Sequence, residues 1–486
     1  MVTRRKFLKA AAVVGAVTMF SGTVPGISAY AAAPLRVRRS VNNMALDDPD
    51  LSTYRDFVGQ MRNNPQTQSV SWLGFANQHG NENSFKYCPH GDWYFLPWHR
   101  GYVDMYEKAA MTLMKNDKFA MPYWDWTTLR NYPAAFTDPN YKGKPNPLYV
   151  PNRGDPPTLR NPLTGGDALT DALVGPDVMR RIYRETVFEA FGTSRNPRQR
   201  DLNPSWVPAG GGRQGILEST PHNNVHNNIG AFMPQSNSPR DPIFMMHHSN
   251  IDRIWAYWSA LGRQNSPDSL WLNMAFTNNY IRANGSFYSW VVKNLQSTAA
   301  LGYTYEGLPQ PDKVLVDTQR NQNLVALFDP QKKGAAKRTL KANTSAAKVD
   351  AHLSVPFALE TSTLKSVSAE SKEVVAILSD IDIGDNVRAI RVFINRETLS
   401  QDVPDSDPHF VTTLSFLQHK NGKDHKAHGS LPSAIVNLTE TLAKLAAVKR
   451  LSGDNITVQL LPVAVPGVEA KSVGKVVPAS VEIAVI

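Results

Sequence analysis

Apolar residues recur at three- and four-residue spacing in five stretches of the first 305 residues. That spacing predicts amphipathic helices at roughly 52–63, 99–116, 177–191, 221–230 and 247–262. Between 127 and 176 the periodicity lapses into Pro, Gly, Asn and Asp, which predicts long surface loops. From 351 onward the pattern changes to short β-branched runs separated by turn residues. Strands are expected at 374–378, 387–395, 410–419, 456–465 and 481–486, with one helix-like insert at 434–447. The chain therefore reads as a mainly α domain at 34–305, a helical bundle with long loops, followed by a β-sandwich at 351–486. Residues 306–350 read as a linker. Its stretch 331–348, QKKGAAKRTLKANTSAAK, is small, basic and free of aromatics, and is expected to be open to proteases.

The 486 residues suffice for two or three domains, and an apolar fraction of 42% allows a sizeable core. Residues 1–33 predict a targeting segment. Arg4, Arg5 and Lys6 lie in a stretch that resembles the twin-arginine export motif, an apolar run follows, and small residues at 31–33 predict cleavage. The expectation is an exported protein, periplasmic or secreted, with no stable membrane anchor once the signal is removed. The net charge of +10 arises in two acid-free segments, four basic residues in the signal and six in 331–348. Elsewhere the signs balance, so no broad basic field supports nucleic-acid binding. A single cysteine, Cys88, excludes an internal disulfide.

Histidine placement points to the chemistry. Of 12 histidines, three form a first cluster, His79, His90 and His99, and three a second, His222, His226 and His248. None lies between His99 and His222, and the remainder, apart from His247, fall beyond residue 350. Neutral imidazole is a common ligand for copper, zinc and iron. His222 and His226 stand four apart on a predicted helix, so their rings leave the same face. His99 opens one amphipathic stretch and His248 sits within another. Helices from each half of this domain could thus aim six imidazoles at one interior point. A lone H-x-x-x-H would more often be two surface histidines.

The segments HGDWYFLPWHRGY, and PHNNVHNN followed by DPIFMMHHSNIDRIW, resemble the two copper signatures of type-3 copper proteins, the family of tyrosinases, catechol oxidases and haemocyanins. The resemblance is close over 35–305, where Tyr303-Thr304-Tyr305 is similar to the motif closing the family's central domain. In the remainder, RAIRVFIN, FVTTLSFLQHK and NITVQLLPVAV are similar to the C-terminal domain of plant polyphenol oxidases. It implies two copper ions, with O2 as co-substrate. His79, His90 and His99 would hold the first copper; His222, His226 and His248 would hold the second, with His247 packed beside them. It further implies a thioether between Cys88 and His90, and Phe244 stacked near the coppers. Glu218 and Asn223 would hold a water that takes the phenol proton. Read without it, Cys88 is a buried thiol, Glu218 caps a helix and Asn223 faces solvent. Asp125, Asp252 and Arg253 read as structural ion-pair residues. Segment 233–236 falls where the family places a gate residue; it lacks an aromatic ring, which suggests an open entrance.

The implied activity is a copper-dependent phenol oxidase that o-hydroxylates monophenols and oxidises o-diphenols to o-quinones, with small phenols as substrates. A catechol oxidase or o-aminophenol oxidase without useful monophenolase activity is an alternative. A haemocyanin-like oxygen carrier is one of another class. A structural zinc protein has less support, because no H-E-x-x-H pattern occurs. The C-terminal domain is implied to act as an intramolecular lid over the copper entrance. His419, His425 and His428, in HKNGKDHKAHG, read most simply as a solvated turn.

Overall fold

The computed structural model describes residues 34–486 other than 152, 154–158, 160–166, 197–209, 312–317, 329–338, 344–351, 369–371, 418–430, 452–454, 466–467 and 470–471. The expected export segment and the loop carrying His419, His425 and His428 lie outside the described residues.

Helix α1 (Pro49–Asn63) starts on a proline whose fixed φ suits the first turn, and the Asp48 carboxylate caps the Asp50 N–H. A short α2 (Trp72–Ala76) follows. Helix α3 (Phe95–Leu113) begins four residues before the apolar pattern predicts, and it is buried continuously from Phe95 to Glu107. A helix buried on every face belongs at the centre of a domain. The single helix expected at 177–191 divides into α4 (Pro176–Arg184) and a turn at Phe188–Phe191. The Glu185 carboxylate accepts the N–H groups of Thr186 and Val187, which a continuous helix would have needed. Next come α5 (Asn223–Ile229) and α6 (Ile243–Ala260).

Of the strands described in this half, three bear on the site or on the second half: β1 (Arg36–Arg38), β2 (Arg213–Gln214) and β3 (Tyr303–Tyr305). Strand β1 pairs in parallel with β3 and brings Arg38 beneath the helices. Asp252 of α6 accepts from Arg100 of α3 at 2.5 Å, from the Tyr303 and Tyr305 hydroxyls at 2.6 and 2.7 Å, and from Arg38 at 3.1 Å. Burial alone would raise the Asp252 pKa, but Arg100 and Arg38 hold it below the usual carboxylate range. The buried pair ties α3 to α6 one and four residues from His99 and His248. Removing one partner of such a pair costs about 3–5 kcal/mol. Arg253 pairs instead with Asp125, at 3.5 Å.

Helix α7 (Thr318–Phe328) and strand β4 (Thr339–Asn343) occupy parts of the segment expected to be a linker. The second half contains β5 (Leu353–Ala358), β6 (Val374–Ile383), β7 (Val387–Ile394), β8 (Phe410–Ser415), β9 (Ser433–Asn437), α8 (Thr439–Ala447), β10 (Asn455–Ala464) and β11 (Val476–Val485). One sheet has the order β2-β9-β6-β11-β4 and the other β8-β7-β10-β5. Alternate residues of both, among them Ala376, Leu378, Ile390, Val392, Val458 and Ile483, bury into one shared core. The helix expected at 434–447 starts only at Thr439. Ile435 and Val436 are β-branched and pair with β6, and the Asn437 side chain then accepts the Thr439 N–H at the turn.

The two halves meet through several elements. Strand β2 pairs in parallel with β9, so the first half supplies an edge of the five-stranded sheet. Arg320 of α7 bridges Glu185 at 3.2 Å and Glu373 at 2.7 Å. Arg180 reaches Glu440 at 2.8 Å. Among the described residues, no helix is long and apolar enough to cross a membrane.

Candidate metal centre

The chain entering α5 is a π-turn, Glu218–His222, with Pro221 inside it. Proline lacks the N–H that an α-helical turn would use, and the wider turn accommodates that loss. It places His222 and His226 on the inner side, with ring centroids 4.6 Å apart. His248 reaches them from α6 and His99 from α3, and these two rings stack at 4.2 Å. His79 follows α2 in a tight loop. At Gly80 a Cβ would lie 2.6 Å from the Ser84 carbonyl and 2.8 Å from that of Ser236, so the loop needs glycine there. His90 comes from the loop before α3 and packs 5.6 Å from His79, 5.4 Å from His99 and 5.5 Å from His222.

The result is two groups, His79 with Cys88, His90 and His99, and His222 with His226, His247 and His248. Within each, one donor atom per residue lies within 4.8 Å of the others. Burial pulls His79 down to about 3 and His226 down to about 4. It also holds His99, His222 and His248 well below the ordinary histidine value. The rings are therefore neutral, which is the ligating form.

Hydrogen bonds fix which nitrogen is free. His79 Nδ1 donates to the Ser236 carbonyl at 2.6 Å, His99 Nδ1 to that of Phe95 at 2.7 Å, and His226 Nδ1 to that of Met233 at 2.6 Å. His222 Nδ1 donates to Asn223 Oδ1 at 2.8 Å. Each Nε2 then carries a lone pair. Those of His79 and His222 are buried without any hydrogen-bond partner, and that of His226 lies 3.1 Å from His248 Nε2. Ligands sharing one metal at bond lengths of about 2.0–2.1 Å sit about this far apart. An all-imidazole set suits copper, so the residues fit the two ions the resemblance implies.

His247 differs. Its Nδ1 accepts from the indole of Trp126, a donor only, at 3.2 Å. The neutral ring then carries its proton on Nε2 and has no lone pair to offer there.

Phe244 stacks on His248 at 4.1 Å and meets His79 and His226 edge-on at 5.2 and 5.6 Å, between the two groups. Cys88 is a free, buried thiol whose Sγ lies 3.3 Å from His99 Nε2. Glu218 accepts from the Gly91 N–H at 2.8 Å and from the Thr193 hydroxyl. Burial pushes its pKa up to about 8, with nearby Asp92 adding to the shift. Asn223 does not face solvent. Its amide donates to Gln214 Oε1 at 3.0 Å and to the Ser415 carbonyl at 2.7 Å.

Sequence reasoning missed the work of segment 233–236, which orients one histidine of each group through the Met233 and Ser236 carbonyls. Backbone acceptors leave no side-chain signal. It also missed the asparagines of PHNNVHNN as a contact surface. Asn224 reaches the Thr413 carbonyl at 3.3 Å, and Asn227 reaches Ser415 Oγ at 2.6 Å and the Phe416 carbonyl at 3.0 Å.

Residues 69–261 match the family model for the common central domain of tyrosinase, and residues 347–478 match that for the C-terminal domain of chloroplastic polyphenol oxidase. The chain belongs to the tyrosinase and polyphenol oxidase family of type-3 copper oxidoreductases. A tyrosinase of Hahella sp. is 24% identical over 87% of this chain and 94% of its own length. A chloroplastic polyphenol oxidase of Malus domestica is 27% identical over 77% of this chain, which spans 64% of that relative. Latent apple tyrosinase shares the fold, with a TM-score of 0.63 at 22% identity, covering 93% of this chain and 98% of the other. Latent aurone synthase aligns with a TM-score of 0.64 at 19% identity, over 93% and 90% of the two chains.

Proposed function

We propose that this family member is a tyrosinase: it o-hydroxylates monophenols and oxidises o-diphenols to o-quinones with O2. The observation that carries the reading is the pair of buried, neutral histidine groups whose Nε2 lone pairs converge. Two copper ions held there would supply the two-electron chemistry that couples O2 reduction to phenol oxidation. His79, His90 and His99 would hold one, and His222, His226 and His248 the other. The Trp126 hydrogen bond to His247 supports choosing His248. Phe244 would limit how a phenol ring enters between the groups.

Phenols ionise near about pH 10, so a bound monophenol needs help in losing its proton. Glu218 and Asn223 would hold the water that receives it. With the C-terminal half docked, both Asn223 amide hydrogens are committed to Gln214 and Ser415. That observation favours the second reading, a catechol oxidase, for the docked form. Asn223→Leu, assayed with copper in excess so that both ions stay bound, separates the two: monophenol hydroxylation should fall by about 10-fold or more, as loss of acid–base assistance implies, with diphenol oxidation falling much less. Equal losses on tyrosine and on a catechol would remove the water from the mechanism.

Residues 34–305 would be the catalytic domain and 351–486 a shielding domain. Leu417, just past β8, packs against the catalytic core and is the side chain we assign to the plug. The segment 1–33 would direct twin-arginine export. The thioether between Cys88 and His90 would form on copper maturation, locking the ring and removing a thiol beside an oxidising centre. Intact mass should then drop by about two hydrogens on copper treatment. A thiol that still alkylates after denaturing the copper-matured protein would exclude the bond.

A further inference from the structure

The Asn223 amide has four in-plane hydrogen-bonding directions, two N–H donors and two oxygen lone pairs, and three of them are filled. Oδ1 accepts from His222 Nδ1, one N–H goes to Gln214 Oε1, and the other goes to the Ser415 carbonyl. A backbone carbonyl only accepts, so Nδ2 must face Ser415 and Oδ1 must face His222. Turned over, the amide would set two acceptors against each other at Ser415 and would present an N–H to His222 Nδ1. That would force the His222 proton onto Nε2, the nitrogen that faces the other histidines. Asn223 thus decides which His222 nitrogen can bind a metal, and its own orientation is set from outside the histidine group.

We propose that Gln214 is a positioning residue for the second copper: the Ser415 carbonyl fixes the sense of the Asn223 amide, and Gln214 Oε1, accepting its other N–H, holds that amide in place so that the His222 Nε2 lone pair stays available. This rests on the copper reading above. Gln214 is buried, and its backbone lies in β2, paired with Ala434 of the second half. The same residue therefore belongs to the sheet that carries the C-terminal half and to the chain of contacts that ends at His222. Ser415 provides the second acceptor only while that half is docked; Gln214 provides the first in either state.

The test is a chelator-competition titration of copper on the full-length protein, resolving first and second ions, for wild type, Gln214→Leu and Gln214→Glu. Supporting hydrogen bonds to a metal ligand are worth about 10–100-fold in affinity. Gln214→Leu should weaken the second copper by at least about tenfold and leave the first unchanged, because the second histidine group alone depends on this amide. Gln214→Glu keeps an acceptor oxygen and should recover most of the loss. A merely structural role would weaken both ions together and would not be rescued. In the Asn223→Leu background, Gln214→Leu should add nothing, since coupled residues are non-additive. If Gln214→Leu fails to accumulate folded, Gln214→Met makes the same comparison. Unchanged second-ion affinity, equal weakening of both ions, or additive losses with Asn223→Leu would each overturn the proposal. Wild-type protein that binds no copper would overturn the underlying copper reading as well, and is told apart by that control.

Discussion

His248→Ala is expected to abolish oxygen-coupled phenol oxidation and to lower bound copper from about two ions to about one per chain, because three imidazoles are the minimum that holds each ion in an open site. His247→Ala should retain both ions and lose no more than about tenfold in activity, the lower end for a supporting group. The two residues are adjacent and equally buried, so composition and burial cannot separate them. The hydrogen bonds do. His248 Nε2 lies 3.1 Å from His226 Nε2 and no other group among the described residues donates to it, whereas the Trp126 indole occupies His247 Nδ1 and places that ring's proton on Nε2. Copper content by elemental analysis and oxygen uptake with a catechol read the outcome. An active His248→Ala beside an inactive His247→Ala would reverse the assignment.

Lifting the C-terminal half should raise turnover by about 10-fold or more, and more for a bulky diphenol than for a small catechol; a tether holds a docked domain at an effective concentration that cleavage removes. The docked contacts are specific: Asn223, Asn224 and Asn227 all donate to groups at the end of β8, and Leu417 follows directly. Strand β4 lies within the expected cleavage stretch and pairs with β11, so cuts in 331–348 should fall on either side of it. The bridge from Arg320 to Glu185 and Glu373 should slow release after a cut, and mild detergent should complete it. Equal turnover of intact and opened forms on both substrates would leave the C-terminal half a stabilising partner only.

Much of this site was legible in the sequence because its ligands repeat along helices. The spacing of His222 and His226, and the amphipathic stretches around His99 and His248, fix ring direction through helical geometry alone. Phe244 could be placed for the same reason, one turn before His248. What escaped was set by partners distant in the chain. The 177–191 helix breaks because a single carboxylate, Glu185, captures two backbone N–H groups. The start of 434–447 becomes strand because β6 lies beside it, a neighbour that local periodicity cannot reveal. Asn223 looked solvent-facing, and Gln214 carried no signal at all, since their roles exist only once β8 and α5 meet. The helix α7, inside a segment read as a linker, is held by Leu324, Leu327 and Phe328 packing with Val375 and Ile377 of the sheet.

On this reading the two histidine groups form one dicopper centre that oxidises phenols. Oxygen uptake by the full-length protein with a catechol, measured on copper-stripped protein during stepwise copper addition, tests it most directly. No uptake is expected until copper exceeds about one ion per chain, then a rise to a plateau at about two, with quinone formed at about two per O2 consumed. Activity that saturates at one ion, that is restored equally by zinc, or that is absent while oxygen is bound reversibly at two ions would contradict it.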